Sequence, residues 1–600
     1  MDRFKRIMIG ILTVILSIST GSISVWSAEA ARPKVINDVK LVQSYEEVIK
    51  VLDEKSKIAI TGEYYLESMS QRESQNSSQE DLKHNLSIKD VSQGNVVKTD
   101  ERYIYSCIGR KSVVIVDTKE KMKKVSTINL ESEEKQYLMN ELFLDHDHLT
   151  IVLKGSEGEK KIQDGVKNLF KNFTVIKIYN IKDKQNPTLE RTVKIEGNAN
   201  KVTKIKNQIV VVSNRLIDYG AYEGLSEKYK QRAVIPNYKD SANGNQMNLV
   251  PAKSIRYADW STCDYYTILA NFDISNKKPV NFNVLLGNAI GSYMNQDGIY
   301  LVNDMYDKDG VYESNHNLSI IIKYGIELDK INYKCVGMIP GETLDLDVYK
   351  GNLRVATTSV VKNTVNSNLY ILDDKLQVCG KIEGFAKGTK FRGTRFDGDK
   401  GYMIPAKETD SVWVLELSYA KNPRTLGKFK LPGFNQYVQP IGKDLVVGVE
   451  RNTSTQGIKL TLVDVKNPKS PVEINHINIG TKGSYSEALD NYAACMIDTN
   501  RRILAIPVIL EYAKPTYIAK NQQSMNFQGA YVFDVEYGKL TEKAKLGQID
   551  AKTKAYVSNY QYTESRICYI GDNMYHLYAN QINCYEMRSY KCTDTIILDK

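Results

Sequence analysis

Residues Lys390 to Gly433 read KFRGTRFDGDKGYMIPAKETDSVWVLELSYAKNPRTLGKFKLPG. Phe391 to Phe396 and Gly401 to Ile404 are short apolar-rich runs on either side of Asp397-Gly398-Asp399, a strong hairpin signal. A third run, Val412 to Leu417, leads through Asn422-Pro423 to a fourth, Leu426 to Leu431, closed by Pro432-Gly433. The stretch therefore predicts four short strands in 44 residues. The same order recurs at Ile178–Gly197, Asn271–Gly287, Tyr370–Gly384, Gly442–Gly480, Tyr531–Gly547 and Cys584–Leu598. A polar residue, expected in the middle of each third strand, marks the units at Asp117, Asn180, Asp273, Gly325, Asp373, Glu416, Asp464, Asp534 and Glu586, the Gly325 unit being degenerate. A four-stranded repeat of about 40–50 residues is the signature of a propeller blade, because one blade cannot bury both faces of its sheet alone. The expected fold is all-β: a single large β-propeller of eight or nine four-stranded blades over residues 92–600. The competing reading is a set of unrelated hairpins in two or three sandwich domains.

Composition narrows the function classes. Tyr is abundant at 39, against 13 Phe and 3 Trp, which suits exposed strands and loop surfaces. The formal charge of +10 is spread as scattered Lys, with no basic run interleaved with stacking aromatics, so nucleic acid is not the expected partner. Met1 to Ala30 reads as an export signal: Arg3, Lys5 and Arg6, then an apolar run from Ile7 to Ile18, then a small-residue cleavage site. An uncleaved anchor is the alternative, and either way the body lies outside the cytoplasm, secreted or at the cell surface. A short amphipathic helix is expected within residues 31–66, with Leu41, Tyr45, Val48 and Leu52 on one stripe and Ser44 and Glu47 as a capping box. Residues 67–91 read as a flexible linker. The eight Cys are dispersed; Cys584 and Cys592 are the pair best placed to bridge, and buried free thiols are the default.

Three motifs carry a family resemblance: GNVVKTDERYIY (Gly94–Tyr105), GSYSEAL (Gly483–Leu489) followed by ILAIPV (Ile503–Val508), and GAYVFDV (Gly529–Val535). They resemble the bacterial secreted β-propeller domain family over about Ser92 to Met587, in the same order. The resemblance implies an exported propeller with no established activity. It also implies a structural use for Lys98, Thr99, Asp100, Ser484, Tyr485, Ser486 and Glu487. The family usually has acidic residues before the VKTD motif, where this chain has Ser92-Gln93-Gly94-Asn95, which removes the basis for a cation site there.

Four long segments, Gly155–Asn172, Leu216–Cys263, Asp304–Asn315 and Ile509–Gln528, each fall between the second and third strands of a blade and so decorate one face. Two are rich in aromatics: Tyr219, Tyr222, Tyr229, Tyr238, Tyr257 and Trp260 in one, Tyr512, Tyr517 and Phe527 in the other. Such side chains suit a protein or cell-wall glycan partner, or alternatively pack the loops onto the propeller. The chain lacks the P-loop, nucleophile-elbow and zincin motifs. Asp145-His146-Asp147-His148 reads as an exposed turn rather than a chelate. Asp304, Asp307 and Asp309 resemble a calcium loop, but Met305 and His316 break the pattern, leaving a weak site at most; no cofactor is expected. Ser484, Ser486 and Glu487 form a tempting catalytic group, with His476 as the nearest imidazole in sequence. Two functions follow: a monomeric, non-enzymatic binding scaffold acting through loops on one face, or a hydrolase or lyase with its site at the propeller axis.

Overall fold

The computed structural model describes residues 39–59, 91–158, 170–221, 225–306, 317–511, 525–547 and 565–598, apart from short gaps at 262, 328–329, 362–363, 408–409, 431–433, 443, 468, 490, 492–493, 537 and 579. The expected export signal, the expected linker before Val91, and Tyr222, Tyr512, Tyr517, Asp307 and Asp309 lie outside these residues.

Nine sheets follow one another along the chain, each built on four antiparallel core strands: a nine-bladed β-propeller. Blade 1 spans Val97–Asn129, blade 2 Tyr137–Glu196, blade 3 Asn198–Leu286, blade 4 Gly291–Pro340 and blade 5 Glu342–Phe385. Blade 6 spans Phe391–Phe429, blade 7 Phe434–Ile479, blade 8 Met496–Leu546 and blade 9 Ser565–Ile597. Within each blade the first strand is innermost and the fourth of the set lies outward. Apolar side chains from facing blades interdigitate: Tyr105, Val113 and Ile115 of blade 1 meet Leu142, Ile151 and Val175 of blade 2 in one buried cluster. All eight cysteines are free thiols, Cys584 buried and Cys592 exposed.

The repeating polar residue has a different place from the one expected. It lies at or next to the end of the third strand, not in its middle, because it shapes the turn to the fourth. The Asp117 carboxylate accepts from the Lys119 amide at 2.9 Å, Asp273 from Ser275 at 2.7 Å, Asp373 from Lys375 at 2.9 Å and Asp464 from Lys466 at 2.7 Å. Asn180 and Glu416 do the same with Lys182 and Ser418. A short side chain that bonds the backbone two residues on mimics a turn, which is why Asp and Asn recur there.

The Leu216–Cys263 insertion leaves the face and reaches the rim. Asn237–Asp240 pairs with the outermost core strand of blade 2, and Ile255–Arg256 pairs in parallel with that of blade 3. The chain's own N-terminal segment docks onto this insertion. Lys40–Leu41 forms a two-residue strand against Arg256–Tyr257, and helix α1 (Tyr45–Ala59) lies on helix α2 (Glu227–Val234). Leu41, expected on the helix stripe, belongs to that strand and is 38% exposed. Val48 and Leu52 are buried with Val234, Ile235, Val250 and Ile255. Lys230 Nζ pairs with Asp53 at 2.8 Å, the Tyr45 hydroxyl donates to the Val250 carbonyl at 3.1 Å, and the Glu47 amide donates to Ser44 Oγ at 3.3 Å. Leu52, 1% exposed, is the deepest apolar side chain of α1's second turn. Leu52→Ala is expected to destabilise the docked segment by about 2–4 kcal/mol. Amide hydrogen exchange should then show loss of protection over residues 39–59 with the blades unchanged; unchanged protection contradicts the docking.

Candidate functional site at the propeller axis

The axial wall is made by the innermost strands, and five of these share one irregularity. Pairing with the second strand slips by one residue between Met139 and Glu141, Ala199 and Lys201, Thr343 and Asp345, Phe391 and Gly393, and Asn435 and Tyr437. A bulge leaves one residue unpaired, twists the strand and re-aims the next side chain. The residue after the bulge occupies the same point in each blade. Glu141, Lys201 and Asp345 are each joined through the second strand to Ile176, Leu269 and Leu369, four residues before the turn-capping Asn180, Asp273 and Asp373. Arg566 holds the equivalent point in blade 9, opposite Leu577 and Ile582.

One end of the passage is lined by the chain itself. Val91–Gln93 pairs with Thr203–Ile205, on the free axial edge of blade 3's innermost strand and beside its turn into the second strand. Gly94 and Asn95 continue across to blade 2, where Asn95 exchanges two backbone hydrogen bonds with Leu142. Glu141 lies against this crossing so closely that a side-chain carbon on Gly94 would stand 2.1 Å from its Oε2, which explains the glycine of the GNVVKTD motif.

Their electrostatics follow from burial. Burial pushes the Asp345 carboxyl up to about 8, aided by Asp347 and opposed by the Leu346 and Thr394 amides and by Arg395. Burial pushes the Glu141 carboxyl up, against Lys154, Lys98 and Lys201. It pushes the Lys201 ammonium down, against Asp345 and Glu141, and the Lys98 ammonium down to about 8, against Glu141 and with Lys204. Lys201 of blade 3 thus lies within electrostatic reach of Asp345 of blade 5. Neither Glu141 nor Lys201 closes an ion pair among the described residues. Asp347 differs: Arg354 grips it at 2.6 and 2.5 Å, donates to the Gly398 carbonyl at 2.6 Å, and lies between the rings of Tyr349 and Phe396.

The residues singled out from sequence are used elsewhere. The Asp100 carboxylate accepts from the Arg102 and Tyr103 amides at 2.8 and 2.6 Å and from the Tyr105 hydroxyl at 2.8 Å, while Thr99 pairs with Ile104. Lys98 reaches over the Phe143 ring and into the axial group. Ser484 Oγ accepts from the Thr481 amide at 3.1 Å, Ser486 Oγ from the Ala488 amide at 3.2 Å, and Tyr485 bridges its backbone to Ile509. Glu487 receives both 2.8 Å contacts of Arg566 Nη1. His476 sits half-exposed on the outer strand of blade 7, bonded to Glu473 at 2.8 Å, and does not serve Ser484. Asp145 and His148 pair with Lys204 and Glu190 at 3.2 Å, each around an exposed turn.

The aromatics expected to face a partner are mostly spent on the protein. Tyr219, Tyr238 and Tyr257 pack on the cluster that holds α1, Trp260 on its neighbour, and Phe527 on Tyr531 at 5.3 Å. Of those described, Tyr229 alone is exposed, at 37%. The insertion's first task is to seat the N-terminal segment.

Sequence reading missed Glu141, Lys201, Asp345 and Arg395, although each interrupts an apolar first strand: NELFLD, NKVTKI, ETLDLDVY and FRGTRFD. It also missed Ser565 and His576, 3.0 Å apart across the first hairpin of blade 9, where burial holds the imidazole near 4. A cavity of about 30 Å³ beside them is lined by Ser486, Glu487 and Ser565. An imidazole so hard to protonate is a weak base, and this pair is read as structural.

The Asp345 shift has a testable sign. The unfolded chain releases this proton near 3.8 and the folded chain holds it to about 8, so folding stability falls as pH rises through that window. Asp345→Asn removes the decline. Its stability advantage over the wild type should be near zero at the low end and grow towards the high end, by up to ~1.4 kcal/mol per pH unit, in denaturant titrations. A difference independent of pH contradicts the assignment.

Known proteins were compared with this geometry in hand. The chain is similar to an uncharacterised protein of Archaeoglobus fulgidus, 29% identical over 331 residues, covering 54% of this chain and 46% of that one. It is also similar to an uncharacterised protein of Methanocaldococcus jannaschii, 32% identical over 247 residues, covering 40% and 36%. The chain thus spans less than half the length of these curated relatives. Among solved structures it is similar to apo AztD from Citrobacter koseri, at a TM-score of 0.34 and 11% identity over 83% of this chain and 94% of the other. The periplasmic gluconolactonase of Pseudomonas aeruginosa follows at 0.29 and 10%, over 55% and 91%. Likenesses this distant carry no argument about the present site. The sequence model of the beta propeller domain matches residues 82–590, and the chain belongs to that family.

Proposed function

We propose that this propeller is an exported, non-enzymatic binding module that receives a small charged molecule at its axis. One observation carries the reading above others. Glu141, Lys201 and Asp345, from three blades, take the same post-bulge position, and Lys201 lies within electrostatic reach of both carboxyl groups, with no ion pair closed by Glu141 or Lys201 among the described residues. Withdrawing ionisable groups from water, even in part, without direct partners costs folding free energy, so a fold that presents them together favours a ligand as the missing partner. A protein or wall-glycan contact through the loops is narrowed, among the described aromatics, to the neighbourhood of Tyr229.

A hydrolase or lyase at the same place is the second reading. Lys98 and Asp345 both titrate near 8, so each holds a proton at neutral pH that it could give up as a general acid.

Thermal-shift screening of the full chain against a library of small charged metabolites tests the proposal. A true ligand at a hundredfold excess over its Kd should stabilise the wild type by ~2.7 kcal/mol. The triple variant Glu141→Gln, Lys201→Met, Asp345→Asn should lose that shift. Conversion of the bound compound, followed by NMR, favours the enzyme. No shift with any compound, or one the triple variant keeps, contradicts the axial site.

A further inference from the structure

The chemistry of the ligand can be narrowed on the axial reading just given. Three features bear on it. First, the post-bulge ring carries both signs: Lys201 in blade 3 and Asp345 in blade 5, with Gly291 at the equivalent point of blade 4 between them. Second, the next blade offers room. Gly393 stands at the post-bulge point of blade 6, half-exposed, and a side-chain carbon built on it would meet no atom within 4 Å. Asp345 borders that room, since its carboxylate faces the amide of Thr394, next to Gly393. Third, the remaining capacity is unequal. Asp345 takes the Leu346 amide at 2.9 Å and the Thr394 amide, and once an incoming cation displaces its proton the carboxylate, with about four lone pairs, keeps acceptor sites free for it. The Lys201 ammonium closes no ion pair among the described residues and has three protons to give. Arg354 is committed to Asp347, and Arg395 lies beside both carboxylates of blade 5.

We infer that the ligand is a zwitterion of the amino-acid or betaine kind, its cationic nitrogen received by Asp345 in the room before Gly393 and its carboxylate by Lys201. A dianion placed here would meet Asp345 and Glu141, and a dication would meet Lys201, Lys98 and Lys204. An amphoteric molecule matches both signs at once, and mismatch is where specificity comes from.

The test titrates the full chain by calorimetry with L-alanine and glycine betaine as zwitterions, putrescine as a dication and succinate as a dianion. At least one zwitterion should bind, with putrescine and succinate weaker by tenfold or more. Gly393→Trp, which fills the room, should abolish binding. Asp345→Asn and Lys201→Met should each weaken it at least tenfold, and they keep the test decisive where the tryptophan variant fails to fold. Tighter binding of putrescine or succinate, lost in the triple axial variant, overturns the zwitterion assignment while leaving the axial site standing. Binding of any probe that survives the triple variant, or of none while a library compound of another charge type binds through the triad, likewise overturns it. If neither probes nor library bind through Glu141, Lys201 and Asp345, both readings fall.

Discussion

Among the described residues the ring closes without sharing a strand between its first and last blades, and much of the structure answers to that constraint. All four strands of blade 1 come from residues 97–129 and all four of blade 9 from residues 565–597, so closure depends on side chains and a few isolated contacts. Ile104, Val114 and Val116 pack on Tyr575, Leu577, Ile582 and Cys584. The Met122 amide donates to Asp594 at 2.5 Å. Arg566, 6% exposed, ties the seam together by donating to Asn95 at 2.9 Å and to Glu487 at 2.8 Å. A guanidinium suits this task because its donors are fixed in a planar fork and stay charged when buried. Arg566 also stands at the register point of its blade, here without a bulge, that carries charge in blades 2, 3 and 5, so the seam and the axial site are built from one repeat position.

The outer edge shows a related economy. Blades 2 and 3 carry extra strands from the Leu216–Cys263 insertion and from the N-terminal segment, which cover edges that would otherwise present unpaired backbone groups. Two buried ion networks hold this layer. Arg191 grips Asp240 at 2.7 and 3.0 Å, and Glu196 takes Arg215 at 2.7 Å while accepting the Asn237 amide at 2.9 Å. Arg215 then reaches the Ala233 and Val234 carbonyls at the end of α2, fastening the platform on which α1 lies.

The blades were legible because their signals are local. Hairpin turns, apolar runs and a recurring Asp or Asn follow from backbone chemistry within a few residues, and even the misjudged place of that residue concerned only a few positions. Helix α1 was legible for the same reason, from Ser44, Glu47, Val48 and Leu52. The axial group was not, because its members are 60 or more residues apart and a single Glu or Lys in an apolar strand has many bland explanations. What unites Glu141, Lys201 and Asp345 is a bulge at one register, and a bulge is visible only when both strands are seen paired. The aromatics of the insertion misled for the opposite reason: composition shows Tyr and Trp, but not that the partner they meet is residues 39–59 of the same chain.

The account rests on burial keeping a carboxyl group protonated at the axis near neutral pH until a cationic partner displaces the proton. An isotope-edited infrared titration of the carboxyl groups, wild type minus Asp345→Asn, measures that directly. The account predicts that the difference signal titrates with a midpoint near 8. A midpoint in the ordinary carboxylate range of about 4 would contradict it.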